Sequence, residues 1–315
     1  MKTVYPDYYK DFKCIAEKCG HNCCIGWEID IDEKSLGFYQ NIKGDFGKRL
    51  RENISFDNTP HFILAENERC PFLNEKNLCD IYSELGERRL CRICKDHPRF
   101  YNELSSHIEA GLGLCCEEAA RLIITKKEPF KLIGIEDIQP SGNILSRNLM
   151  LKHIQNRKLT IPQRLDKILA LTVEKEPDLS IQKYLPLFES LERLSENWTE
   201  LLLLLKESKL NKKAFDSFMK GRESEYEQFI AYLLYRYFCR ATFAEDTGIY
   251  TCFAALSYNL VHDIGAVVFA KKGNFTVDDQ LEIMRLFSSE IEYSDENLDI
   301  IFNELEFAIF EDCEN

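Results

Sequence analysis

The sequence predicts a mostly α fold, with an irregular Cys-rich metal-binding part at the front, carrying one short strand and packed on a helical remainder. Three observations lead there. Apolar residues recur at threes and fours through most of the chain beyond about residue 125, the period of amphipathic helices. No strand–helix–strand alternation, internal repeat or low-complexity linker is present. And 10 of the 13 cysteines lie in the first 116 of the 315 residues. The expected division is therefore 1–125, a Cys-rich metal-binding part, and 126–315, a helical domain.

In the front part, the run Gly26–Asp32 (GWEIDID) alternates apolar and polar residues, which predicts the short strand. Residues 33–53 read as a helix interrupted by Gly37, Gly44 and Gly47. Asn77 and Gly86 mark turns, and Glu117–Ile124 reads as a helix with acids in its first turn, where the macrodipole favours them. Beyond the loop at 126–142 come helices at 143–155 and at 161–173, the latter with Pro162 near its start. Leu185, Phe188, Leu191, Leu194, Trp198, Leu201, Leu202 and Leu205 predict one long amphipathic helix. Residues 226–242 and 250–270 read as buried helices. Thr276, with Asp279 three positions on, opens another, and Ser294 starts the last.

Composition excludes several classes. The chain is 45% hydrophobic, 12% aromatic and 30% charged, too apolar for a disordered protein. Its formal net charge of -13 runs against the basic footprint of a nucleic-acid binder. No uninterrupted apolar run approaches the roughly 20 residues that span a bilayer, and the opening residues carry no apolar signal-peptide core. The expectation is a cytoplasmic protein with no membrane or nucleic-acid partner. Its oligomeric state is unspecified.

Cysteine clustering carries the chemistry. The first block is Cys14, Cys19, Cys23 and Cys24. The second is Cys70 (CPFL), Cys79 (LCDIYSELGE), Cys91 and Cys94, running into HPRF at 97–100. The third is Cys115–Cys116. Thiols of a cytosolic protein stay reduced, and thiolates are soft ligands for zinc or iron–sulfur clusters. Ten cysteines exceed one four-ligand site, so one metal with spectators and two metals both remain open.

In this order, the Cys-dense opening, GWEIDID, CPFL, LCDIYSELGE, the HPRF segment and a Cys before EEAARLII resemble the flagellin lysine-N-methylase family. The segment CPFL to HPRF is also similar to the broader cysteine-rich zinc- or iron-chelating proteins. The helical part, with YLLYRYFCRATF at 232–243, is similar in kind. The resemblance implies a protein-lysine N-methyltransferase that uses S-adenosylmethionine, carries a [4Fe-4S] cluster (zinc being the alternative) and takes flagellin as partner and substrate. It implies Cys19, Cys23, Cys24, Cys70, Cys79, Cys94 and Cys116 as metal ligands, with Cys91 and Cys115 beside matching positions; Cys91 is retained in the expected set. Glu117 departs from the family where Pro is expected, and His97 stands where Tyr is common. Neither removes a thiolate.

A radical mechanism is not encoded. The CxxxCxxC signature would need cysteines where Gly26 or Glu87 stand, and a deprotonated lysine amine is already a nucleophile. Tyr82 and His97 are candidate proton acceptors, with packed neighbours of a metal site as the ordinary alternative. Arg99 is a candidate for a cofactor carboxylate. Gly111 and Gly113 imitate a phosphate-binding loop but lack the strand–helix context for one. The acids of 280–315 read as a solvated helix face. The rival reading is a non-enzymatic zinc- or iron-binding protein for storage, delivery or sensing.

Overall fold

The computed structural model describes residues 1–138, 142–244 and 246–310; Pro140 and Cys313 lie outside them. The chain forms two compact units, Lys13–Phe100 and Met1–Phe12 with Tyr101–Asn315. The Cys-rich unit is thus shorter at both ends than the part expected from the sequence.

In the Lys13–Phe100 unit, α1 (Glu33–Asn41) and α2 (Gly44–Glu52) are followed by α3 (Asp80–Leu85) and α4 (Arg92–Asp96). Asp32 caps α1 by accepting from Ser35 N, and also accepts from Arg92 N, tying the starts of α1 and α4 together. α1 runs through Gly37 and α2 through Gly47, so those two glycines interrupt nothing, but the interruption expected at Gly44 is present: the chain turns at Ile42–Lys43 and Gly44, at φ +81°, opens α2. A hairpin pairs Ile54–Ser55 with His61–Phe62. The strand expected at 26–32 is not formed. Pairing there is limited to the bridge of Asp30 with His61, flanked by Ile31 N donating to Pro60 O and Phe62 N to Ile29 O, too short a run for a strand. Ile29, Ile31, Tyr39, Leu50, Phe62 and Phe72 form the core, and Cys70 and Cys91 are buried in it.

The other unit is built on a four-stranded sheet of β1 (Lys2–Pro6), β2 (Arg99–Glu103), β3 (His107–Leu112) and β4 (Leu132–Ile133), in the order β2-β3-β1-β4. β1 pairs parallel with β3, Val4 opposite Glu109, and antiparallel with β4. Gly111 and Gly113 thus do have a strand before them, β3, and a helix after them at Glu117–Ile124, which corrects the expectation that this context is lacking. The pairing of β1 with β3 joins residues a hundred positions apart, so no local pattern encodes it. Tyr235 fastens a helix to the sheet by donating its hydroxyl to the carbonyls of both Val4 and Ala110, each at 3.1 Å.

The helices of this unit are α5 (Glu117–Ile124), α6 (Asn143–Ile154), α7 (Ile161–Leu169), α8 (Ile181–Ser190), α9 (Glu196–Glu207), α10 (Lys212–Met219), α11 (Glu223–Tyr237), α12 (Thr247–Lys272), α13 (Val277–Phe287) and α14 (Asp295–Phe310). Thr276 and Asp279 form the expected capping box at α13. The long helix expected across 185–205 is two, α8 and α9. Between them, Glu192 N donates to Asn297 Oδ1 and Leu194 N to Glu290 Oε2, so distant side chains take the amides a continuous helix would use. By length and composition α12 could cross a membrane, yet 89% of its apolar window is buried inside this unit, where it packs against α11, α13 and α14. Each large apolar side chain so buried contributes roughly 1.5–3 kcal/mol.

Candidate metal centre

Three short segments bring sulfur together in the Lys13–Phe100 unit. Cys24 and Cys70 lie on adjacent extended backbones: Cys70 N donates to Cys24 O at 2.8 Å, and Gly26 N to Glu68 O at 3.1 Å. Gly26 takes φ +88°, where a side chain would be strained. From Cys70 the chain turns through Pro71–Leu73, and Leu73 bridges back to Cys79. Asn74 holds this turn by accepting from Lys76 N and Leu78 N and donating to Asp80 Oδ1, while Asp80 Oδ2 takes Arg49 at 2.7 Å.

Cys79 and Cys91 precede the first turns of α3 and α4. Free N–H groups there point at the sulfurs: those of Ile81 and Tyr82 at Cys79, and that of Cys94 at Cys91. Such N–H groups favour a thiolate. The Cys91 and Cys94 sulfurs are 3.2 Å apart and share a hydrogen bond. That bond lowers the Cys91 pKa and raises that of Cys94. The Cys23–Cys24 pair behaves alike: the Cys24 thiol brings Cys23 down to about 7 and is itself raised. Burial pushes Cys70 up to about 11 and raises Cys79.

These thiols also repel one another as thiolates. Cys24 feels Cys70 and Cys79, Cys70 feels Cys79 and Cys91, and Cys94 feels Cys24 and Cys70. Left to themselves these raised thiols stay protonated, and several of them could ionise together only with a cation between them. In its chemistry the donor set suits a thiolate-bound metal group. Among the described residues, no three His, Cys, Asp or Glu side chains are gathered in a geometry that holds a single ion.

The remaining candidates fall as follows. The Cys19 thiol donates to His21 O at 3.0 Å, and Cys14 is exposed. Cys116 belongs to the other unit, as the residue preceding α5. Tyr82 is exposed on α3. His97 follows α4 with its ring 6.3 Å from that of Trp27, and burial brings its pKa down to about 4, leaving a neutral imidazole. Arg99 opens β2, half-buried. Sequence reading did not find Asn74, Asp80, Arg49 and Asp32, which brace the sulfur-bearing turns. The Asx-type spacing of Asn74 ahead of Lys76 and Leu78 was the available signal.

Residues 173–315 match the FliB lysine N-methylase C-terminal domain, and residues 13–108 match a putative zinc- or iron-chelating domain. The chain is similar to the FliB lysine N-methylases. It is 24% identical to the lysine-N-methylase of Salmonella typhimurium over 150 residues, 45% of this chain and 37% of that protein. The Salmonella choleraesuis lysine-N-methylase gives the same figures. The flagellar biosynthetic protein FliU of Salmonella muenchen is 25% identical over 139 residues, 42% of this chain and 82% of that protein. The match therefore spans little more than a third of the two lysine-N-methylases. No solved structure matches. The chelating-domain match covers every sulfur of the Lys13–Phe100 unit, and the FliB match covers α8 to α14.

Proposed function

We propose that this protein is an S-adenosylmethionine-dependent protein-lysine N-methyltransferase whose substrate is flagellin. The observation that carries the reading is the FliB lysine N-methylase match over residues 173–315, with the Salmonella relatives named lysine-N-methylases beside it. In this reading the protein works in the cytoplasm, on flagellin before assembly.

The Cys-rich unit is proposed to hold a [4Fe-4S] cluster, with zinc as the alternative, on ligands drawn from Cys19, Cys23, Cys24, Cys70, Cys79, Cys91 and Cys94; Cys116, of the expected set, lies in the other unit. The convergence of Cys24, Cys70, Cys79, Cys91 and Cys94 supports the first choice among these. The metal group's part is structural or substrate-positioning, since no radical signature is present. S-adenosylmethionine supplies an electrophilic methyl group; the protein positions a lysine amine in line with it and keeps water away. Arg99 is proposed to hold a carboxylate of the cofactor. Of the two proposed proton acceptors, Tyr82 reaches solvent freely, whereas His97 is neutral near pH 7 but holds a proton weakly.

One observation favours a second reading. The match of residues 13–108 is to a chelating domain as such, which fits a non-enzymatic zinc- or iron-binding protein. Equilibrium dialysis of the purified chain with labelled S-adenosylmethionine separates the two. Saturable binding of one equivalent supports the methyltransferase; metal uptake without cofactor binding overturns it in favour of the metal carrier.

A further inference from the structure

One buried side-chain cluster lies outside the cysteine centre, within the unit formed by Met1–Phe12 and Tyr101–Asn315. Between α13 and α14 the chain makes a π-helical turn, Ser288–Glu292. Such turns recur at functional sites because they force one side chain off the regular helix face. Here the turn carries Glu290 and Glu292 inside, against the expectation that these acids are solvated.

Glu292 accepts from the Tyr232 hydroxyl at 2.8 Å through Oε1, and Arg236 Nη1 stands 3.5 Å from the same oxygen. Arg236 Nη1 also donates to the Tyr232 oxygen at 2.6 Å. The guanidinium sits over the rings of Tyr237 and Tyr293, at 5.3 and 5.1 Å from their centres. Two polar groups are left over. Glu292 Oε2 and the Tyr237 hydroxyl are buried, face each other, and make no hydrogen bond of ordinary geometry to any other group. A buried carboxylate oxygen without a donor is costly, and native proteins seldom keep one idle.

Tyr293 covers this place. The residue is 44% exposed, while its hydroxyl is directed inward to Gly113 and Cys115. A Cβ at position 113 would lie 2.1 Å from the Tyr293 oxygen, so only glycine admits the tyrosine there. This accounts for Gly113, which the cofactor-loop reading of the sequence left unexplained.

We infer that Glu292, Tyr237 and Tyr293 form the seat of the substrate amine, a lysine side chain received as a primary alkylamine. The inference deepens the lysine-methylation reading and rests on it. Glu292 Oε2 and the Tyr237 oxygen accept the N–H groups. The Tyr293 ring, moving aside at the surface, admits the alkyl chain and lies along it. Arg236 already balances the Glu292 charge, so an ammonium entering this interior would be the uncompensated ion. Burial and the guanidinium both favour its neutral form. Tyr232, Cys115 and Arg240 also face the cluster, the Arg240 guanidinium lying 5.3 Å from the centre of the Tyr237 ring and adding to the disfavour of an ammonium. The ammonium gives its proton to solvent, and the nitrogen lone pair attacks the methyl of a sulfonium donor. The N–C bond forms as the C–S bond breaks, and that bonding pair stays on sulfur, leaving a neutral thioether and a methylammonium.

The test uses n-butylamine as probe, titrated calorimetrically into the full chain without any methyl donor. Wild type binds it saturably, and Glu292→Gln and Tyr237→Phe each bind about tenfold more weakly, with circular dichroism unchanged. Should Glu292→Gln fail to fold, Tyr237→Phe carries the comparison. Equal affinity in a folded variant, or no binding by wild type, overturns the site, including the case where a buried water satisfies both oxygens. In methylation assays Arg236→Gln shifts the rising limb of the kcat/KM profile to higher pH; an unshifted limb overturns the role given to Arg236. Butylamine binding without flagellin methylation would reject the enzyme reading and leave the amine site standing. Methylation with binding indifferent to Glu292 would do the reverse.

Discussion

Cys91 and Cys94 hold their sulfurs 3.2 Å apart across the first turn of α4, with the backbone N–H of Cys94 directed at the Cys91 sulfur. One thiolate there is stabilised by its neighbour's S–H and by the helix end, while the neighbour's own proton is held more tightly and would leave only when a metal cation takes both sulfurs. Replacing both by serine is expected to abolish most of the zinc or iron that co-purifies with the chain and to lower the melting temperature of the Lys13–Phe100 unit. Metal analysis of the two proteins checks this, and unchanged content would remove the pair from the ligand set.

His97 sets a pH dependence. Its folded pKa near 4 lies below the ordinary 6.5 because burial disfavours the charged ring. Between these values the unfolded chain binds the extra proton and the folded chain does not, so stability rises with pH across that window. The contribution is intact above pH 6.5 and is lost as pH falls towards 4. Urea unfolding at pH 7, 5.5 and 4.5 is expected to show a declining midpoint, and His97→Phe a shallower decline. Parallel declines in both proteins would contradict the assignment.

Arg147 and Glu109 form a fully buried ion pair under the sheet, with His107 on the other Glu109 oxygen and the Tyr235 ring 5.2 Å from the guanidinium. Removing one partner strands the other's charge. Arg147→Ala is therefore expected to cost about 3–5 kcal/mol, and the double change to Arg147→Met with Glu109→Gln markedly less. Denaturant titration of wild type, Arg147→Ala, Arg147→Met, Glu109→Gln and the double variant checks it, with a non-additive cycle as the expected signature.

Gly47 offers a test of the packing in the Cys-rich unit. A Cβ there would lie 2.0 Å from the Ile42 carbonyl oxygen, a backbone atom that cannot turn away. Gly47→Ala is expected to destabilise by about 1–3 kcal/mol despite the better helix propensity of alanine. A neutral or stabilising change, read by thermal unfolding, would show that α2 can shift relative to Ile42.

Much of the helical order was legible because its signals are local. The Thr276–Asp279 capping box and the Glu117–Ile124 helix stand where periodicity and caps predicted them. Structure set by distant residues was not legible. The apolar period of 185–205 continues unbroken, but Asn297 and Glu290 capture the amides at 192 and 194 and divide the helix. The parallel pairing of β1 with β3 has no local trace, nor does the π turn that buries Glu290 and Glu292. At the cysteine centre the residue types and spacing were informative, and the bracing by Asp32, Asn74 and Arg49 was not, since those side chains act across the fold.

The most direct measurement is methyl transfer itself. Purified full-length chain is incubated with flagellin and S-adenosylmethionine carrying an isotopically labelled methyl group, and the peptides are read by mass spectrometry. Labelled methyl on lysine side chains, absent when the enzyme or cofactor is omitted, is the predicted result. Metal-loaded protein that binds flagellin or cofactor yet leaves every lysine unlabelled would contradict the account.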